Sequence, residues 1–331
     1  MRTALVGCGV IAPTHIDALL KLGHEVVALC DIEIQRCVDL AQRFSLNARY
    51  YPDYSEMLKG GGIDAVHIAT PHYLHAPMVI EALAKDINCL CEKPLCIKKC
   101  DLGRIESAVK KSKATLGVCF QNRYLSANKS AKILIGEEKS LSGNAVQIWR
   151  RDEAYYRQDD WRGKWETEGG GVLINQAIHA VDMLIWLLGT PRYVTASITN
   201  HSLRGVVEVE DTAELYMEME GGKKAQLYAT NASTMNFPLQ ICLHTDKSRI
   251  EIKNNDIYIN NIKIDLNKDE IDIVAKEYWG NGHYRLIEDF YRCISQGKDF
   301  PIDFYEGAKA VNVLLSAYES KGKRTEINNV Y

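Results

Sequence analysis

The first 120 residues alternate short apolar runs with segments of helical periodicity. Residues 3–7, 25–30, 64–69, 87–91 and 115–120 are apolar runs of strand length. Between them, 12–22, 34–44, 75–85 and 101–112 repeat apolar positions at the 3.6-residue helical period. Strands and helices alternating at this spacing predict βαβ units, hence a doubly wound parallel sheet with helices on both faces. Beyond Phe120 the pattern changes. Residues 144–150, 193–200, 212–219, 224–231, 239–245 and 248–253 read as successive strands, and Glu220-Gly221-Gly222-Lys223 marks a hairpin between the third and fourth. Two helices, 172–188 and 283–297, accompany them. The expected architecture is a Rossmann domain over 1–120 and an α+β domain over 121–331 with a large, mainly antiparallel open sheet.

Composition narrows the class. With 46% hydrophobic and 25% charged residues, the chain has the profile of a soluble globular protein. A net charge of −3 gives no reason to expect nucleic acid or an anionic membrane as partner. No apolar run reaches membrane-spanning length and the first residues form no signal peptide, so a cytoplasmic location is expected. The ten cysteines form no C-x-x-C pair, and most lie in apolar runs, which predicts buried free thiols rather than a metal or disulfide framework. No metal is expected.

Chemistry begins at Gly7-Cys8-Gly9-Val10-Ile11-Ala12, a G-x-G-x-x-A turn between a strand and a helix. The first glycine allows the tight turn, and the second lets backbone approach a pyrophosphate. The small third residue keeps helix and strand close, and the helix N-terminus faces the phosphates. Asp31 ends the second strand, where a carboxylate accepts hydrogen bonds from ribose hydroxyls and repels a 2′-phosphate. Arg36 lies further into the next helix. NAD is therefore expected over NADP.

Glu92-Lys93-Pro94 follows the fourth apolar run, at a strand's carboxyl end, where open α/β sheets bind ligands. Gly169-Gly170-Gly171 precedes a segment that is apolar almost all round from Val172 to Leu188. On a continuous helix Asn175, His179 and Asp182 would share an arc of about 60°. A buried polar stripe needs partners or a ligand. Asp182, three positions from His179, would hold its tautomer and raise its pKa.

With ATPHYLH (69–75), EKP (92–94), FQNRY (120–124), WRGKWETEGGGVLINQAIHAVD (161–182) and GHYRLIEDF (282–290), these motifs resemble the Gfo/Idh/MocA oxidoreductases over nearly the whole chain. The resemblance implies that Thr70, Pro71, His72 and His75 lie along the cofactor, with Glu92 and Lys93 by the nicotinamide ribose. It implies a cis Lys93–Pro94 peptide, with Arg123, Trp161 and Arg162 near nicotinamide or substrate. Tyr156 and Asn175 join Arg123 and Trp161 as substrate-binding candidates. Lys93 and His179 are the candidate catalytic pair. His179 is expected as the main base, because histidine needs no large pKa shift to act near neutrality. Many relatives carry aspartate where this chain has Asn175. The NQAIH variant resembles the branch acting on nucleotide-sugar uronates such as UDP-N-acetylglucosaminuronate. The expectation is an NAD-dependent dehydrogenase of a sugar-like secondary alcohol, assembled as a dimer or tetramer. The rival readings are an imine or ketone reductase of a non-sugar substrate and a non-catalytic NAD(H) sensor.

Overall fold

The computed structural model of the protein describes residues 1–253, 255–266, 274 and 280–328. Its first sheet is built from β1 (Arg2–Val6), β2 (Glu25–Cys30), β3 (Arg49–Tyr51), β4 (Ala65–Ile68), β5 (Asn88–Cys91) and β6 (Leu116–Val118). Their order is β3-β2-β1-β4-β5-β6, all parallel. The central strands are buried almost from end to end, which is why they read as continuous apolar runs rather than alternating ones. Five helices connect them: α1 (Ala12–Lys21), α2 (Ile34–Phe44), α3 (Tyr54–Lys59), α4 (His75–Leu83) and α5 (Lys99–Val109). The order reverses between β1 and β4, and this switch point is where a doubly wound sheet opens a ligand crevice.

The remaining helices are α6 (Ser126–Glu137), α7 (Glu153–Tyr156), α8 (Val172–Asn175), α9 (Ile178–Leu188), α10 (Gly282–Gln296) and α11 (Phe304–Ser320). The second sheet has nine strands: β7 (Ser140–Ile148), β8 (Pro191–Thr199), β9 (Thr212–Met219), β10 (Lys224–Thr230), β11 (Gln240–Thr245), β12 (Arg249–Lys253), β13 (Asp256–Ile259), β14 (Ile262–Ile264) and β15 (Thr325–Glu326). Their order is β14-β13-β12-β11-β7-β10-β9-β8-β15. Only β7 and β10 run parallel; the other pairs are antiparallel, as the strand-rich pattern predicts. The hairpin between β9 and β10 turns on Gly221 and Gly222, both at positive φ. Along β9, Ala213, Leu215, Met217 and Met219 are buried, while Glu214, Tyr216 and Glu218 face the other way. The apolar side of β9 meets α8, while α9 packs on β7 and β10 and α11 on β8.

Two helices late in the chain reach back to the first sheet. α10 packs on α1, and Phe290 and Phe300 fill the space beside Gly117 on β6. The Val118 amide donates to the Ile302 carbonyl, 2.9 Å. The two sheets thus share one continuous core. All ten cysteines are free, and nine are buried. Among the described residues, no helix is long and apolar enough to cross a membrane.

Candidate active site

The glycine turn sits between β1 and α1 as the spacing predicts. Gly7 has φ +90°, and a Cβ there would lie 2.4 Å from the Ala69 carbonyl oxygen, so only glycine lets the turn pass the end of β4. Gly9 faces open space, and Val10 is exposed beside it with Ile11 half-buried. Asp31 stands at the end of β2. Its Oδ2 accepts from the Cys8 amide (2.8 Å) and its Oδ1 from the Glu33 amide (2.9 Å). The carboxylate is therefore fixed beside the turn with lone pairs to spare. Arg36 is tied to Glu33 at 2.8 Å, and the apolar Ile32 is almost fully exposed next to Asp31.

Lys93 lies just past β5 and is half-buried; the Lys93–Pro94 peptide is cis, as the resemblance implies. Its Nζ donates to the main-chain oxygen of Asn175 (2.7 Å) and to Asn175 Oδ1 (3.3 Å). The sequence predicts one helix over 172–188, but the chain breaks between α8 and α9 at Gln176–Ala177. That break presents the Asn175 carbonyl to Lys93. Loss of water around the ammonium, with Arg162 and Arg151 nearby, pushes Lys93 down to about 8 despite the opposing charges of Glu92 and Glu168.

The triple glycine lets α8 start under crowding that no side chain would survive. A Cβ at Gly170 would lie 2.0 Å from the Tyr318 hydroxyl, and one at Gly171 would lie 1.9 Å from the Glu210 carbonyl oxygen. Glu210 caps this start. It accepts from the amides of Gly171 (2.9 Å) and Leu173 (3.0 Å) and from the Tyr318 hydroxyl (2.9 Å).

His179 opens onto a cavity of about 220 Å³. Its lining includes the amides of Asn122, Asn128, Gln147 and Asn255 and the rings of Trp149 and Phe237, and among the described residues His179 is its one ionisable side chain. Burial, with the Lys93 charge second, pushes His179 down to about 3. The role expected from ordinary pKa values therefore passes from one group to the other: Lys93, not His179, titrates near neutrality. Nδ1 of His179 has no hydrogen-bond partner.

Several sequence assignments need correction. Asp182 does not touch His179. It takes a bidentate pair from Arg123, with Nε–Oδ2 2.9 Å and Nη2–Oδ1 2.7 Å, and Arg123 Nη1 reaches Glu306 at 3.0 Å. Arg123 is thus spent inside the core and is not free for nicotinamide or substrate. Tyr156 packs with Leu203, Val207 and Val209, its hydroxyl accepting from Asn231. Its neighbour Tyr155 is the one near the site, accepting from Arg162 at 2.5 Å. His75 is buried with its ring against the carbonyls of Pro94 (2.6 Å) and Thr70 (2.8 Å), so it braces the loop from behind. Glu92 also stands behind the site. Its Oε1 accepts from His15 (3.0 Å) and pairs with His283 (3.5 Å), and its Oε2 takes the Lys93 amide (3.2 Å). His72 joins the two halves: its Nδ1 lies 2.8 Å from the Glu168 carbonyl, and its ring packs on Trp161. From Trp161, rings and guanidinium groups alternate through Arg162, Tyr155 and Arg151 to Trp149 at the cavity. Sequence reasoning missed Arg151, Glu168 and the cavity amides. Among the described residues His15, Glu92 and Cys119 bring possible metal-ligand atoms within 4.8 Å of one another, and two of them already share a direct hydrogen bond.

Residues 1–120 match the description "oxidoreductase family, NAD-binding Rossmann fold", and residues 134–251 match the C-terminal domain of the same family. The chain belongs to the Gfo/Idh/MocA family. It is an NAD-binding oxidoreductase. Inositol 2-dehydrogenase of Salmonella typhimurium is 27% identical over 57% of this chain and 54% of its own length. The WlbA dehydrogenase of Bordetella pertussis, solved with NADH and UDP-GlcNAcA, superimposes with a TM-score of 0.86 at 27% identity, covering 99% of both chains. Levoglucosan dehydrogenase, solved with NADH and levoglucosan, shares the fold with a TM-score of 0.90 at 20% identity, covering 99% of this chain and 100% of its own. This Gfo/Idh/MocA chain therefore has its family's two-sheet plan, and the site lies where the two sheets' loops meet.

Proposed function

We propose that the protein oxidises a secondary alcohol of a sugar-like substrate, or reduces the corresponding ketone, with Lys93 exchanging the hydroxyl proton. One observation carries this reading. A half-buried lysine, pushed down to about 8, is held by two oxygens of Asn175 close to the histidine that opens onto an amide-lined cavity.

The cofactor fits the residues present. Gly7 and Gly9 leave the backbone bare at the turn, and Val10, Ile11 and Ile32 offer apolar surface beside Asp31. We assign Asp31 to the adenosine ribose, and Thr70, Pro71, His72, Trp161 and Arg162 to the cofactor's remaining length. Bound NAD would supply the hydride acceptor or donor. Neutral Lys93 takes the hydroxyl proton during oxidation, and its ammonium returns it during reduction. His179, neutral at physiological pH, offers one N–H and one lone pair, which orient the reacting hydroxyl without adding charge.

Amides and aromatic rings suit a polyol ring, since amides match hydroxyls and rings cover C–H faces. Likeness to WlbA over the whole chain favours a nucleotide-linked amino-sugar uronate. Arg151 and Arg162, beside Lys93, provide cations for its anionic groups. The test is NADH formation with free sugars, cyclitols and UDP-linked uronates. NADH binding without turnover of any alcohol or ketone would leave the sensor reading; turnover confined to imines or non-sugar ketones would leave the reductase.

A further inference from the structure

Glu168 precedes the triple glycine, and the proton exchange described above makes no use of it. It is buried, with its main-chain carbonyl against His72 and its carboxyl reaching Asn175 on α8. Oε2 accepts from the Gly163 amide at 2.5 Å, and Oε1 accepts from Asn175 Nδ2 at 2.5 Å. Those contacts decide an orientation. An ionised carboxylate only accepts, so the Asn175 amide must turn its NH₂ toward Glu168. Oδ1 is then left facing Lys93, where it takes the second of the two ammonium hydrogen bonds. Lys93, Asn175 and Glu168 form one chain of charge-assisted hydrogen bonds.

We propose that Glu168 is a positioning residue for the proton exchange at Lys93, holding the Asn175 amide with its oxygen toward the lysine. One hydrogen bond removed, it returns the negative charge that an aspartate at 175 would carry. The inference rests on the assignment of Lys93 as proton carrier. Burial pushes Glu168 up to about 7, so the carboxylate that locks the amide forms just below the range in which Lys93 loses its proton. The groups facing Lys93 electrostatically are Glu92, Glu168, Arg162, Arg151, His72, His75, His179 and His283. Glu92 and Glu168 are the two whose negative charge holds its pKa up.

Glu168→Gln removes that charge, and its own NH₂ can donate to Asn175 Oδ1, which frees the amide to flip its NH₂ onto Lys93. The direct test is the titration of the Lys93 side-chain nitrogen by NMR in lysine-labelled, substrate-free protein, assigned by loss of the signal in Lys93→Met. The expected midpoint is about 8 in the unmutated protein and lower in Glu168→Gln. The double variant Glu168→Gln/Asn175→Asp, which moves the carboxylate one residue closer, should bring it back up. In turnover, Glu168→Gln should lower kcat by about tenfold or more, as losing a charge-assisted hydrogen bond does. NADH affinity should stay unchanged, and the double variant should recover part of kcat. An unmoved Lys93 midpoint in folded, NADH-binding Glu168→Gln overturns the proposal, as does a double variant that restores neither midpoint nor kcat. If Glu168→Gln does not fold, Glu168→Asp should shift the midpoint the same way by less, and no shift there also overturns it. The titration needs no substrate, so a failure of the dehydrogenase reading in turnover assays remains separate from a failure of this one.

Discussion

At the residue scale, the pH dependence near neutrality should follow Lys93, because His179 stays neutral there. Lys93 is cationic below about 8 and neutral above it. Oxidation needs the neutral form, so its rate should fall about tenfold per pH unit below that point. Reduction needs the ammonium and should weaken above it. Lys93→Met should cut kcat by at least about 10²-fold in both directions. His179→Ala should cost less and keep the limb near 8. Profiles of log kcat for oxidation and reduction check this; a limb that vanishes in His179→Ala and survives in Lys93→Met would return the base role to the histidine. Asp31 supports a second expectation. Its fixed carboxylate repels a 2′-phosphate, and Arg36 is engaged by Glu33, so NAD should bind more tightly than NADP. Asp31→Ala should narrow the gap, and equal dissociation constants in the unmutated protein would contradict the assignment. Lys93, Asn175 and His179 were legible as candidates because polar residues in apolar surroundings stand out. Which of them titrates near neutrality was not, because burial and the charges of Arg151 and Arg162 come from neighbours that sequence separation hides.

At the element scale, Arg123 locks three pieces of chain together: the short helical turn over 121–124, α9 and α11. Removing one partner of a buried pair leaves the other uncompensated, which typically costs about 3–5 kcal/mol. Arg123→Met should therefore lower the urea midpoint strongly while leaving NADH affinity nearly unchanged. Arg123→Met/Asp182→Leu should recover most of the loss. A stable Arg123→Met protein with raised KM would instead restore the substrate role expected from the sequence. Strands β9 and β10 were read within a residue, because alternation on a half-buried sheet is a strong signal. The helix over 172–188 was read as continuous because its apolar pattern runs through the break; His179 and Asp182 both lie on α9, and their pairing failed because Arg123, distant in sequence, takes both Asp182 oxygens. α11 went unread, although Asp303 accepts from the Glu306 amide at 3.0 Å and D-x-x-E is a visible start signal. Glu168 was hidden by its place in a glycine-rich turn, where a carboxylate ordinarily faces water.

At the scale of the whole molecule, among the described residues, the helices that pack on the nine-stranded sheet lie on its apolar side. Its apolar side rests on α9 and α11. The opposite side presents Glu214, Tyr216 and Glu218 from β9, and Gln226 and Tyr228 from β10. An antiparallel sheet can face water on one side, but tyrosines beside paired charges also suit a subunit interface, where an aromatic body is covered and its hydroxyl still finds a partner. Lys224 and Arg324 already neutralise Glu218 on this face. Two copies meeting here would thus bury little uncompensated charge. A two-fold contact between identical faces closes on itself, giving a dimer, and a second contact would extend it to a tetramer. We therefore expect a dimer or tetramer at micromolar concentration by light scattering. Tyr228→Arg, which places a new charge at the middle of β10, should shift the protein toward monomer while sparing NADH binding at the distant glycine turn. A monomer in the unmutated protein, or an unchanged assembly in Tyr228→Arg, would remove this face from consideration as the subunit contact.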